Sequence, residues 1–132
     1  MKKEFIYNFK VYYDDTDAGG IVYYANYLKF LERARSEAIY SIGFSNLDLK
    51  RINDVIIVVK SCNINYIRPA KFEDKLSVHS SIISISKASF KMNQMIIRQK
   101  EKITEAEVVL VTINSSGMPT KLPGELVKKF NS

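Results

Sequence analysis

The chain has 132 residues, of which 46% are hydrophobic, 11% aromatic and 26% charged, with a net charge of +6 and one cysteine. This length and composition exclude a disordered or peptide-like chain and suffice for a buried core, while a single cysteine excludes an internal disulfide and a thiolate metal cluster and suits a reducing compartment. The longest apolar runs, 21–25 and 55–59, have five residues each, far short of the about 20 a membrane-spanning helix needs. Polar residues also break the apolar stretch that a signal peptide would require near the N-terminus, so a cytoplasmic protein without a transmembrane segment is expected.

No internal repeat or Pro/Gly/Ser linker divides the sequence, which therefore reads as one domain over residues 1–132. Phe5, Tyr7, Phe9, Val11 and Tyr13 alternate with mostly polar neighbours and predict a first strand. The run Asp14-Asp15-Thr16-Asp17-Ala18-Gly19-Gly20 then favours a turn. Over residues 26–41 the period changes: Tyr27, Phe30, Leu31, Ala34 and Ala38 form an apolar stripe, Arg33 and Glu37 are spaced for an i,i+4 pair, and Gly43 supplies a left-handed stop. Small Ala34 and Ala38 would let a sheet approach closely. Four further strands are predicted over 55–67, 76–86, 89–100 and 103–114, and Pro123 sits where a short terminal helix would begin. Short connections make neighbouring strands antiparallel, so the fold class is α+β: a five-stranded antiparallel sheet wrapped around one long helix.

Asp14, Asp15 and Asp17 form the densest cluster of functional atoms, set between a strand end and the start of that helix. A carboxylate there stands beside unpaired backbone N–H groups that could polarise a carbonyl; the plain alternative is a solvated turn and cap. A calcium loop does not fit, because its twelfth position would be Asn26 or Ala25 rather than Glu. His79, the one histidine, lies in a strand pattern, and Cys62 alternates with Ile64 and Tyr66 and should point into an apolar layer as a small hydrophobe. No phosphate-binding glycine loop or zinc-protease motif occurs. Tyr12 and Tyr24 stand out of phase with the core pattern, whereas Lys87, Lys91, Arg98, Lys100 and Lys102 read as a solvated sheet face.

The segment Val11-Tyr-Tyr-Asp-Asp-Thr-Asp-Ala-Gly-Gly-Ile-Val-Tyr-Tyr-Ala-Asn-Tyr-Leu-Lys-Phe-Leu-Glu-Arg-Ala-Arg-Ser-Glu resembles the signature of hot-dog-fold acyl-CoA thioesterases of the tol-pal-associated and 4-hydroxybenzoyl-CoA thioesterase family. The likeness continues through Val59-Lys-Ser-Cys-Asn-Ile-Asn-Tyr-Ile-Arg-Pro-Ala and covers nearly the whole chain. It implies that Asp17, in the D-x-D-x-x-G element, is the catalytic carboxylate, acting as general base or nucleophile, and that the Tyr24 backbone N–H holds the thioester oxygen. Gly19 and Gly20 would bring these parts together. Tol-pal-associated members carry His where Tyr24 stands, while the 4-hydroxybenzoyl-CoA enzymes have Tyr; a tyrosine cannot act as a base near neutral pH, which leaves proton transfer to Asp17.

On this likeness the partner is an acyl-CoA, the acyl pocket involves Val59 and Ser61 with Ile57, and Arg68, Lys71, Lys87 and Lys91 are candidates for the phosphates of coenzyme A, which is part of the substrate; no separate cofactor and no metal are expected. Open sheet edges and the resemblance together imply a homodimer or homotetramer. An acyl-thioester or acyl-carrier-protein binding module without turnover is the alternative, and the scattered lysines do not favour nucleic acid.

Overall fold

A computed structural model describes residues 3–132. The chain runs β1 (Glu4–Lys10), a 3-10 turn (Tyr13–Asp15), α1 (Asn26–Ser41), α2 (Asn46–Asn53), β2 (Ile56–Tyr66), β3 (Lys75–Ile85), β4 (Ser89–Arg98), β5 (Glu101–Ile113) and α3 (Gly124–Asn131). The five strands form one antiparallel sheet in the order β1-β3-β4-β5-β2. Among the described residues no helix is long and apolar enough to cross a membrane.

Period-two alternation sorts the central strands into an inner and an outer face. Leu76, Val78 and Ile82 of β3, Phe90, Met92 and Ile96 of β4, and Ala106, Val108 and Leu110 of β5 are all buried. Register aligns them in rows across the sheet, such as Ile82–Met92–Val108 and Phe90–Leu110. Onto this face α1 lays the predicted stripe: Tyr27, Phe30, Leu31, Ala34 and Ala38 are all buried. Gly43 ends the helix region with φ +89°, a left-handed conformation that glycine adopts without steric cost.

The row Ser80–Gln94–Ala106 departs from an apolar core. Gln94 is fully buried, and its Nε2 donates to the Leu31 carbonyl of α1 at 3.1 Å and to Ser80 Oγ at 3.0 Å. Its Oε1 accepts from Arg35 Nη1 at 3.0 Å. One side chain of the central strand therefore ties two successive turns of α1 to the sheet, with its amide oxygen and nitrogen both satisfied.

Four expectations are corrected. The first strand stops at Lys10, because Asp15 Oδ2 accepts from the Tyr12 N–H at 2.9 Å and draws residues 13–15 into a 3-10 turn that leaves Tyr13 79% exposed. A second helix, α2, follows Gly43 and is capped by Ser45, whose Oγ accepts from the Asp48 N–H at 3.0 Å. Arg33 and Glu37 lie on the exposed face of α1 without forming an ion pair. Arg98 also differs from its reading as a solvated sheet residue: it bonds Asp74 at 2.7 Å, and the two side chains are only 20% and 16% exposed.

Gln94→Leu removes three hydrogen bonds and leaves the Arg35 guanidinium, the Ser80 hydroxyl and the Leu31 carbonyl without that partner. It should lower the unfolding free energy by about 1–3 kcal/mol, read from urea denaturation; a variant as stable as the parent would show that Gln94 does not fasten α1.

Candidate active site

The segment between β1 and α1 is fixed by its own backbone. Asp15 O accepts from the Tyr23 N–H at 3.1 Å and from Asn26 Nδ2 at 2.8 Å. Thr16 and Val22 form a bridge, and the Asp17 N–H donates to the Ile21 carbonyl at 2.9 Å. Within this hairpin the Gly20 N–H donates to the Asp17 carbonyl at 3.0 Å, with Gly20 at φ +80°. Asp15 is thus a structural residue. Asp17 is different: its carboxylate is exposed and accepts one bond, from the Gly19 N–H at 2.8 Å.

The segment after β2 supports the hairpin. The Val22 N–H donates to the Ala70 carbonyl at 2.8 Å, Ile21 bridges Lys71, and the Ala70 N–H donates to the buried Tyr27 Oη at 3.0 Å. Burial raises the pKa of Tyr27, partly offset by that bond, so the hydroxyl stays protonated at neutral pH. Tyr66 packs edge-on against Tyr27 and Tyr24, with centroids 5.3 and 6.4 Å apart, and its hydroxyl donates to the Tyr24 carbonyl at 3.3 Å.

The start of α1 is open to a ligand. Its N-cap residue, Ala25, offers no side-chain cap, and the first turn contains no acidic residue. The Val22, Tyr23 and Asn26 N–H groups are spent on Ala70, Asp15 and Tyr23, whereas among the described residues the Tyr24 N–H meets no protein acceptor. An unspent amide at the positive end of a helix suits an oxygen that is gaining negative charge.

A separate apolar cleft of about 330 Å³ opens between α1 and β2. α1 packs mainly on β1 and β3 and α2 lies against β2, so most of β2 remains exposed. Buried Phe5, Ile82, Phe90 and Phe130 form its floor, while Glu32, Arg35 and Val59 stand toward its mouth. The same gap explains Cys62. Its phase is as expected, since it aligns with Val108 on the inner face, but on an uncovered edge strand the thiol is exposed rather than buried. Partial burial raises its pKa, opposed by Arg35.

The predicted site residues therefore fall into groups. Asp17, Gly19, Gly20 and the Tyr24 N–H share one hairpin and helix start, and Lys71 joins them through its bridge to Ile21. Arg68 lies in the same segment as Lys71 but is engaged, with Nε 3.4 Å from Glu101. Val59 lines the cleft; Ser61 follows a bulge in β2 and is exposed outside it. Lys87 is exposed in the β3–β4 turn, and Lys91 pairs with Glu107 at 3.4 Å. Lys91 stands seven residues along β4 from Arg98, which touches the Pro69 carbonyl; that is about 23 Å of strand. One protomer does not gather all four basic candidates, nor does it enclose the Asp17 carboxylate in a cleft. The sequence reading missed Arg35 and Gln94. The signal for Gln94 is a polar residue at an inward phase between Met92 and Ile96; for Arg35 it is a charge one turn beyond Leu31.

Residues 19–105 match the thioesterase superfamily. The acyl-CoA thioester hydrolase YbgC of Escherichia coli is 37% identical over 92% of this chain and 91% of its own length. The acyl-CoA thioesterase YbgC of Haemophilus influenzae is 34% identical over 96% of this chain and 94% of its own. The crystal structure of a probable thioesterase from Bartonella henselae superposes with a TM-score of 0.87 at 34% identity, covering 93% of this chain and all of that one. The α+β architecture is the hot-dog fold, and by its matched residues and its relatives the chain belongs to the thioesterase superfamily.

Proposed function

We propose that this chain is an acyl-CoA thioesterase in which Asp17 and the Tyr24 N–H act on the two ends of the thioester carbonyl. The observation that carries the reading is the pairing, within one short frame, of an otherwise uncommitted carboxylate with an unspent amide at a helix start. Water, activated by Asp17 as general base, or the Asp17 carboxylate itself as nucleophile, adds to the carbonyl carbon. The carbonyl oxygen becomes an oxyanion, which the Tyr24 N–H receives; removing such a donor in comparable sites costs about 3–4 kcal/mol of barrier. Collapse then breaks the C–S bond and expels coenzyme A as thiolate: on the water route the product is the free acid and the proton held by Asp17 passes to the thiolate, whereas on the nucleophilic route the acyl group stays on Asp17 as a mixed anhydride that a water molecule then hydrolyses to the free acid. Coenzyme A belongs to the substrate, so the reaction as written needs no added cofactor. Tyr24 contributes its backbone, and its exposed phenol is free to line the approach.

In this reading the acyl group runs along α1 into the cleft beside β2, and Lys71 with Arg68 faces the phosphates of coenzyme A from the neighbouring segment. A second copy of the chain completes the enclosure of Asp17. What supports the dimer is β2 itself: an 11-residue edge strand with exposed Val59 and Tyr66, followed by exposed Ile67, presents unpaired backbone and apolar surface together. Light scattering should report a dimer or a dimer of dimers; a strictly monomeric protein with full activity would contradict this arrangement.

Asp17→Asn keeps the shape of the side chain but removes the base, and kcat for acyl-CoA hydrolysis, followed by thiol release with a thiol-reactive dye, should fall by about 10²–10⁴-fold with little change in KM. Activity within tenfold of the parent would refute the role of Asp17, and tight acyl-CoA binding without thiol release by the native protein would favour a binding module instead.

Gly19→Ala tests positioning. A Cβ at Gly19 would lie 3.3 Å from Asp17 Oδ1, tight enough to displace the carboxylate by a few tenths of an ångström. Since small misplacements of a reacting group are costly, kcat should drop by about tenfold while the melting temperature stays unchanged; an unaltered kcat would show that the Gly19–Asp17 contact does not aim the carboxylate.

A further inference from the structure

Besides its apolar residues the cleft between α1 and β2 is lined by Glu32, Arg35, Ser36 and Asn46, of which Arg35 is the one cation. Arg35 is partly buried in its wall, near Ile39 and Val59. Its Nη1 donates to Gln94 Oε1, and among the described residues it forms no ion pair. A guanidinium has five N–H donors, so this bond leaves most of them unspent. They are not sealed in the core: among the described residues the one fully buried side-chain polar atom without a partner is Thr104 Oγ1. The remaining donors of the Arg35 guanidinium are therefore accessible, on a residue that lines the cleft.

Among the described residues no carboxylate pairs with it, although the charge of nearby Glu32 favours its charged form. Glu32, one turn earlier on α1 and in the same lining, is exposed and makes no bond to Arg35, and Cys62 on β2 is a thiol whose pKa burial raises. Burial lowers the pKa of Arg35, with Glu32 and Cys62 acting in the opposite sense. A cation withdrawn from water with donors to spare is costly until an anion meets it, and the planar guanidinium fork matches a carboxylate.

We infer that the cleft selects acyl groups whose far end carries a carboxylate, with Arg35 as the specificity-determining residue; this rests on the acyl-CoA reading above. The geometry suits a chain of intermediate length. Arg35 lies nine residues into α1, about 14 Å along the axis from Asn26, and helical side chains lean back toward the N-terminus. In this proposal an acyl chain laid from the Tyr24 N–H along α1 reaches the guanidinium in the wall of the cleft, whose lining also includes buried Phe90 and Phe130. An unsubstituted chain would pass the same point and leave the cation unpaired.

The test uses two non-hydrolysable thioethers, octyl-CoA and its ω-carboxylate counterpart carboxyheptyl-CoA, titrated calorimetrically into the native protein. The carboxylate form should bind about tenfold tighter. Arg35→Met should abolish or reverse that preference and Arg35→Lys should keep part of it, with circular dichroism confirming that each variant is folded. Equal or weaker binding of carboxyheptyl-CoA by the native protein overturns the inference, whatever the stability of the variants, and so does an unchanged preference in folded Arg35→Met. Hydrolysis of octanoyl-CoA and suberoyl-CoA is measured alongside. Turnover without a carboxylate preference sinks the role of Arg35 alone, whereas a clear binding preference with no turnover of either substrate sinks the hydrolytic reading and upholds the selectivity of the cleft.

Discussion

A single buried amide sets the relation between helix and sheet. Gln94 holds the Leu31 carbonyl, the Ser80 hydroxyl and the Arg35 guanidinium at once, so α1 cannot slide or rotate on the sheet without breaking a desolvated hydrogen bond. Apolar contact alone would be less exacting, because the stripe of Leu31, Ala34 and Ala38 could shift against Val78 and Met92 with little loss of buried area. The position of everything that α1 carries, including its uncapped first turn and the guanidinium lining the cleft, follows from this fastening.

From that fixed helix the candidate site is assembled by backbone rather than by side-chain packing. The 14–24 segment is stitched to itself through Asp15, Thr16 and Ile21 and to the segment after β2 through Ala70 and Lys71. Tyr27, buried in α1, reaches the same segment through its hydroxyl. A chemically active loop is thus held on a rigid scaffold while its carboxylate stays exposed, a common division of labour between frame and loop. The cleft lies beside the complementary feature: α1 packs mainly on β1 and β3, and most of β2, at the edge, remains exposed.

What could be read from the sequence follows the same division. β3, β4 and β5 show clean alternation because one face of each is buried in the core, and the stripe on α1 is legible because the sheet covers it. The strand start at Phe5 is legible too, but its end is not: Tyr13 keeps the alternating phase while the Asp15 carboxylate captures the Tyr12 N–H and turns the chain. α2 escaped detection because its eight residues contain one buried side chain, Leu49, leaving the Ser45-x-x-Asp48 cap as its only signal. Cys62 shows the limit of phase: alternation tells which face a residue occupies, and only the extent of the neighbouring helix tells whether that face is covered. The hairpin around Asp17 was legible as a motif, and its amide partner as a helix start. The separation of Lys91 from Lys71 and the cation in the cleft depend on register and on Gln94, neither of which a single strand pattern reveals.

Catalysis by this site depends on where the thioester carbonyl lies. The most direct measurement is a crystal structure of the native protein with a ketone analogue of an acyl-CoA, in which a methylene replaces the sulfur. The ketone oxygen should lie about 2.7–3.1 Å from the Tyr24 nitrogen, with the Asp17 carboxylate facing the carbonyl carbon. A bound analogue whose carbonyl touches neither group, with Asp17 still directed into solvent, would contradict it.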